Sequence, residues 1–306
     1  MTSDLSQLID GVVAELGERA HRDAPLGPLT TYRVGGSAAL LVTVDDHGVL
    51  GRLASLTAEH EVPVLVVGKG SNLLVLDGGF AGVVVHLGDG FGRVDIDGTT
   101  VVAAGAAALP VVARRTAAAG LTGFEWAVGV PGSIGGAVRM NAGGHGSDMA
   151  ASLRSIRVVD LLSGFDGEML APELDLGYRR SALRRSTVVT EATLDLAPGD
   201  AAECQAEIDQ IVRWRREHQP GGANAGSVFT NPPDGSAGRL IDAAGCRGLR
   251  VGTAEVSTKH ANFIQADPGG SADDVLALMD VVRARVRHEF GVDLHPETHI
   301  VGEVAR

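Results

Sequence analysis

The chain has 306 residues, 44% hydrophobic and 21% charged, enough for two compact cores or three small ones and without the composition of a disordered chain. A formal net charge of −12 argues against nonspecific binding to nucleic acid or anionic lipid, although a few local arginines and lysines suffice for an anionic small molecule. The two cysteines, Cys204 and Cys246, have no CxxC spacing and no histidine cluster beside them, so neither a disulfide framework nor any metal site is expected.

The chain opens MTSDLSQLIDGVVAEL, with Leu5, Leu8, Ile9, Val12, Val13 and Leu16 on one helical face and Ser3 placed to cap it. An acidic start of this kind is not a signal peptide, and no apolar stretch reaches bilayer length, so a soluble cytoplasmic protein is expected. A second helix follows Asp46 through Val49, Leu50, Leu53 and Leu56, and leads into the strand 64–67. Strands are expected at 83–87, 94–96 and 101–104, then a short helix from Pro110 to Gly120. Two further strands, 156–162 and 187–196, flank a turn at Ser163–Gly167. Ile208, Ile211, Val212 and Arg215 mark an amphipathic helix, followed by a strand-and-turn region. The last helix carries a cap at Ser271, a face of Val275, Leu278, Met279, Val282, Val286 and Phe290, and a stop at Gly291. Strands and helices alternate without strict βα units, which favours an α+β fold over a doubly wound sheet.

Glycines crowd two segments next to strands. One is VVGKGSNLLV, residues 66–75; the other is GVPGSIGGAVRMNAGGHG, residues 129–146. Consecutive backbone N–H groups in such turns form anion-binding concavities, and missing side chains let a pyrophosphate approach. Neither segment is a P-loop or a dinucleotide-binding GxGxxG. Two such loops in one chain point to a large, multiply phosphorylated ligand.

The blocks Thr31-Tyr32-Arg33-Val34-Gly35-Gly36, Gly68-Lys69-Gly70-Ser71-Asn72, Gly129-Val130-Pro131-Gly132-Ser133-Ile134-Gly135-Gly136 and Met140-Asn141-Ala142-Gly143 resemble, in order and spacing, the FAD-binding blocks of UDP-N-acetylenolpyruvoylglucosamine reductases. The resemblance continues through Tyr178-Arg179-Arg180-Ser181, Ala225 to Pro232, Lys259 to Ile264 and Pro296-Glu297, and so covers nearly the whole chain. It implies an α+β protein with a vanillyl-alcohol-oxidase/p-cresol-methylhydroxylase-type FAD-binding module of two subdomains, 1–90 and 91–199, and a C-terminal α+β substrate-binding domain, 200–306. The chain resembles the shorter type of the family.

The resemblance also implies noncovalent FAD, NADPH as co-substrate and a UDP-sugar substrate, with no required protein partner, nucleic acid or membrane. The reaction would reduce the enolpyruvyl group of UDP-N-acetylglucosamine enolpyruvate to give UDP-N-acetylmuramate for peptidoglycan. Its implied cofactor contacts are Tyr32, Gly68, Lys69, Gly70, Ser71, Asn72, Gly129, Pro131, Gly132, Ser133, Gly135, Gly136, Asn141 and Gly143. Tyr178 and Asn231 are implied to hold substrate. Arg179 matches the arginine on the substrate carboxylate, where a planar, permanently charged guanidinium grips two oxygens. Ser227 matches the proton donor, and Glu297 the glutamate that helps stabilise the enol intermediate. His260 and Asn262 read as shaping residues rather than proton carriers. Longer family members carry a lysine upstream of the serine block; here Arg213-Trp214-Arg215-Arg216-Glu217-His218-Gln219-Pro220 stands in its place and no one residue matches. A flavin oxidase of the same fold is the rival reading, and a flavin-binding protein without activity a weaker one. Arg179, Ser227 and Glu297 together speak against both.

Overall fold

Helix α1 (Ser3–Leu16) forms where Leu5, Leu8, Ile9, Val12 and Leu16 recur along one face, and all five are buried. The computed structural model describes residues 3–233 and 235–305, and the cap expected at Ser3 rests on a side chain outside those described. Helix α2 (His47–Ala58) begins at Asp46, whose carboxylate accepts from the Val49 N–H at 2.8 Å. It leads, as expected, into strand Val64–Val67, which lies parallel to Phe80–Leu87. These two join Ser37–Val44 and Ala20–Pro25 in a four-stranded sheet.

The second sheet is antiparallel, in the order Asp166–Leu170, Leu153–Asp160, Thr187–Asp195, Thr100–Ala104, Val94–Asp97. Alternate residues of its strands, such as Val101 and Ala103 or Ala192 and Leu194, share one core with α3 (Leu109–Ala118) and α4 (Ile134–Met140). Pro110 sits in the first turn of α3, where a missing N–H costs nothing. Helix α5 (Ala201–His218) adds Cys204, Ile208 and Ile211 to the same core.

After strand Leu153–Asp160 the chain turns around the Asp160 carboxylate. That group accepts from Leu162 N–H (3.2 Å), Ser163 N–H and hydroxyl (both 2.9 Å), Ser186 hydroxyl (2.8 Å) and Thr187 hydroxyl (2.9 Å). Burial pushes the carboxyl up, but the hydrogen bonds from Ser163, Ser186 and Thr187 outweigh it and bring it down to about 2.

Further along are α6 (Ala237–Ala243), a three-stranded sheet of Arg250–Val251, Ala254–Val256 and Ile264–Ala266, and α7 (Ala272–Phe290). Ser271 caps α7 by accepting from Asp274 N–H at 3.1 Å, and Gly291, at φ 69°, ends it. Val275, Leu278, Met279, Val282 and Val286 are buried, whereas Phe290, expected on the same face, is 40% exposed. Phe290 is the final residue of the helix, past the last core position. Asp77 clasps the other end, accepting from Ala272 N–H (3.0 Å), Asp273 N–H (3.2 Å) and the Ser271 hydroxyl. In return its own N–H donates to the Asp273 carboxylate at 3.1 Å.

Packing divides the chain into two units. The first comprises Met1–Arg22, Leu40–Lys69 and Gly82–Arg215; the second Asp23–Ala39, Gly70–Ala81 and Arg216–Arg306. The second unit is therefore not a simple C-terminal piece. It recruits two short upstream segments, and strand Leu73–Val75 pairs in parallel with His299–Val301.

Cys204 and Cys246 are buried and free. Burial, with Glu125 next in importance, pushes the Cys204 thiol up to about 11, and burial also raises the Cys246 thiol. Thiols held protonated in this way are poor nucleophiles. Replacing both by alanine is expected to leave turnover of fresh, flavin-loaded protein within about threefold, allowing for a small loss of stability from the vacated volume. A large drop in turnover of such a preparation would assign one of them to the chemistry.

Candidate active site

In the first unit a cleft opens between the end of strand Val64–Val67 and the start of α4, lined among others by Gly68, Lys69, Gly105, Ser133, Gly136 and Arg139. A Cβ at Gly68 would stand 2.4 Å from the Ser133 hydroxyl, and one at Gly105 would stand 2.0 Å from the Val189 carbonyl. The cleft walls are therefore bare backbone because side chains do not fit, which suits a large planar or phosphorylated group lying close against the chain. Gly105, His86 and Arg139 are not among the residues the sequence marks for the cofactor; for Gly105 the signal is the small-residue run Ala103–Ala108.

The loop 129–146 is built differently from the amide nest expected of it. It contains α4, and the helix's first amides are already engaged: Ile134 N–H with Ala107 O (2.9 Å), Gly135 N–H with Gly105 O (2.9 Å) and Gly136 N–H with the buried Ser133 hydroxyl (3.4 Å). Leu109 N–H also donates to Gly132 O at 3.0 Å. Backbone 105–109 is thus stitched to 132–135 and forms a side-chain-poor wall. Glycines inside the helix disguised it as loop. Gly129 is buried at the start of this segment, and Pro131 is exposed.

Helix α4 ends at Asn141, at φ 39°. The Asn141 amide donates to the Asp148 carboxylate (3.1 Å) and the Gly177 carbonyl (3.2 Å), and its oxygen accepts from Ala150 N–H (2.9 Å). Both amide hydrogens are spent on the protein rather than offered to a cofactor. Gly143 pairs with Asp148 in a short hairpin.

Gly177 and Arg180 exchange two backbone hydrogen bonds of 3.1 Å, closing a tight turn with Tyr178 and Arg179 at its centre. Arg179 has φ 55°, the left-handed conformation that this turn position usually reserves for glycine or asparagine. Strain of that kind persists where the surroundings fix it and gathers at functional positions. The Arg179 guanidinium donates to Gly143 O at 3.2 Å and lies 5.1 Å from the centre of the exposed Tyr178 ring.

The second unit brings Ser227, Glu297 and Asn72 to one corner. Ser227 is half-buried and follows Gly226, which turns at φ 75°. The next residue, Val228, donates to Asn262 O (2.9 Å) and accepts from Glu297 N–H (2.8 Å). Phe229 bridges to Pro296, so segments 227–230 and 295–298 run antiparallel side by side. The Asn72 amide donates to Glu297 O at 3.0 Å, and Asn72 O accepts from His299 N–H at 3.0 Å. Asn262 holds both polar groups of the Phe229 backbone, at 3.0 and 2.8 Å, and His260 packs edge-on against Phe263. Both are frame residues, as their sequence context suggested. Asn231 accepts from Ala237 N–H at 3.1 Å and so tethers the start of α6.

Other residues of the expected set are spread along the second unit. Gly70 accepts from Thr31 N–H at 3.2 Å, Ser71 is half-buried, and Tyr32 is wholly enclosed in the core with Val34, Leu74 and Phe229. Burial raises the Tyr32 phenol, whose hydroxyl has no hydrogen-bond partner among the described residues. No group of three or more His, Cys, Asp or Glu placed to hold a metal occurs among the described residues, and none of their helices is long and apolar enough to cross a membrane.

Comparison with known proteins gives a consistent result. Residues 38–165 match a family described as FAD binding domain, and residues 218–301 match the C-terminal domain of UDP-N-acetylenolpyruvoylglucosamine reductase. The UDP-N-acetylenolpyruvoylglucosamine reductase of Rubrobacter xylanophilus is 42% identical over 96% of this chain and 99% of its own. A Symbiobacterium thermophilum relative of the same name, numbered 2, is 42% identical over 98% of this chain and 97% of its own. The crystal structure of the Thermus caldophilus UDP-N-acetylenolpyruvylglucosamine reductase superposes with a TM-score of 0.81 at 38% identity, covering 92% of this chain and 98% of that one. The α+β class and the FAD-binding module expected from the sequence are both borne out.

Proposed function

Because this chain belongs to the UDP-N-acetylenolpyruvoylglucosamine reductase family, we propose that it reduces the enolpyruvyl group of UDP-N-acetylglucosamine enolpyruvate to UDP-N-acetylmuramate, with noncovalent FAD and with NADPH as reductant. The observation that carries this reading is the corner at which the segments of Ser227, Glu297 and Asn72, three distant motifs, are tied together by the Val228–Glu297 and Asn72–His299 backbone bonds and the Asn72 side-chain amide. The bare-backbone cleft around Gly68, Gly105 and Ser133 fits the cofactor. Lys69, exposed at its edge, adds a positive charge for phosphate.

Bound FAD supplies a hydride relay between NADPH and the terminal enolpyruvyl carbon. The protein does the rest. Arg179 holds the substrate carboxylate, next to which negative charge develops, and its rigid turn keeps the guanidinium oriented. The Ser227 hydroxyl delivers a proton to the carbon bearing that carboxylate, and Glu297 stabilises the enol form with Arg179. Tyr178 and the Asn231 amide hold the substrate. Gly68, Gly70, Ser71, Asn72, Gly129, Pro131, Gly132, Ser133, Gly135, Gly136 and Gly143 make up the cofactor's backbone-rich surroundings, and Tyr32, enclosed in the core, supports them from behind. In domain terms, the first unit serves the flavin and the part of the second from Arg216 onward the substrate. The enzyme works in the cytoplasm, needs no protein partner and supplies peptidoglycan synthesis.

The purified protein is expected to be yellow, and acid precipitation should release the flavin into the supernatant. NADPH should bleach the flavin absorbance, and the enolpyruvyl UDP-sugar should restore it without oxygen. A colourless protein that FAD cannot reconstitute would remove this reading. Restoration by oxygen alone would favour a flavin oxidase instead.

A further inference from the structure

We infer that Asn141 is a positioning residue for Arg179: its side chain, not a cofactor, holds the left-handed turn that presents the guanidinium. The inference rests on the reading of Arg179 as the arginine of the substrate carboxylate. The Asn141 amide donates to the carbonyl of Gly177, the first residue of that turn, at 3.2 Å. The guanidinium donates to Gly143 O at 3.2 Å, and Gly143 pairs with Asp148, the second acceptor of the Asn141 amide, at 3.1 Å. Ser181, just past the turn, donates its hydroxyl to Arg139 O at 2.7 Å. The end of α4 and the hairpin behind it therefore grip the turn before, at and after Arg179.

The amide cannot be flipped without loss. Asp148 only accepts and the Ala150 N–H only donates, so the nitrogen must face Asp148 and Gly177 and the oxygen must face Ala150. Asp148 thereby orients Asn141, and Asn141 orients the turn. Arg179 sits at φ 55°, a conformation a non-glycine residue leaves readily when its restraints go. A guanidinium misplaced by about 1 Å costs on the order of a hundredfold in the step it serves.

The test is Asn141→Gly. Glycine keeps the φ of 39° at which α4 ends and removes only the three side-chain bonds. FAD affinity, followed by flavin fluorescence, and the rate of bleaching by NADPH should stay within about twofold of wild type. The return of flavin absorbance on adding the enolpyruvyl UDP-sugar should slow about tenfold or more. In an Arg179→Ala background the same substitution should add less than about twofold, since the residue it positions is gone. Asp148→Ala should slow the return in the same direction by a smaller factor, and it decides the matter if the glycine variant does not fold. The inference is overturned if Asn141→Gly weakens FAD binding or slows bleaching and return alike, if its effect persists undiminished in the Arg179→Ala background, or if neither variant slows the return. An Arg179→Ala protein whose absorbance returns at the wild-type rate would instead overturn the reading of Arg179 itself.

Discussion

Alanine at Ser227 is expected to leave FAD binding and bleaching by NADPH intact, while slowing the return of absorbance with the enolpyruvyl UDP-sugar by on the order of a hundredfold to ten-thousandfold. The hydroxyl stands half-buried at a turn whose next residue is fixed on both sides, by Asn262 O and by Glu297 N–H. A proton donor in such a frame loses its whole contribution on truncation and leaves the frame standing. A serine that only satisfied local backbone would cost about 1 kcal/mol of stability and slow neither step selectively. Stopped-flow traces of the two half-reactions separate these outcomes. Equal damage to both steps, or to neither, would remove Ser227 from proton transfer.

The largest effect on stability is expected at Asp160. Asp160→Ala would leave the buried hydroxyls of Ser186 and Thr187, and the exposed N–H groups of Leu162 and Ser163, without their shared acceptor. Each of the two buried donors left orphaned costs about 1–3 kcal/mol, while the exposed amides turn to water, for a net loss on the order of 3 kcal/mol. The same carboxylate carries a pH signature. Its folded value of about 2 lies below the usual carboxylate value, so its contribution is fully present above about pH 4 and lost as pH falls from there through about 2. Urea titrations at pH 7 and pH 2.5 should show the difference between wild type and Asp160→Asn shrinking at the lower pH. A difference that stays constant would mean that the carboxylate's charge is not what the turn depends on.

Periodicity made the regular parts of this fold legible. The faces of α1, α2 and α7, the cap at Ser271 and the stop at Gly291 all follow from residue spacing, because those helices bury one stripe against one core. Helix α4 escaped the same reading, since Gly135 and Gly136 are poor helix formers, chosen because Gly135 lies against the Gly105 and Val189 carbonyls. Of the candidate site, Arg179, Ser227 and Glu297 were legible through family resemblance alone; nothing in composition or spacing distinguishes them from surface residues. Their supports were harder to see. Asn141 reads as one more residue of a glycine loop until its three bonds are traced, and Asp160 as an ordinary strand end. Both act through partners up to 36 residues away, at distances only the folded backbone sets.

The pairing of Leu73–Val75 with His299–Val301 has a consequence for how the chain is made. Strand 73–75 leaves the ribosome more than two hundred residues before its partner, and at a translation rate of about 5–20 residues per second it waits on the order of 10–45 s. During that interval the backbone groups meant for residues 299–301 stay unpaired, and Leu74 and Leu76, buried in the finished protein among residues 225–294 with Ile300 beside them, lack part of their cover. The nascent chain thus carries an apolar segment that residues about a hundred and fifty or more positions downstream come to cover. A stop before residue 299 would remove the pairing partner of 73–75 and leave that strand's edge open to other chains.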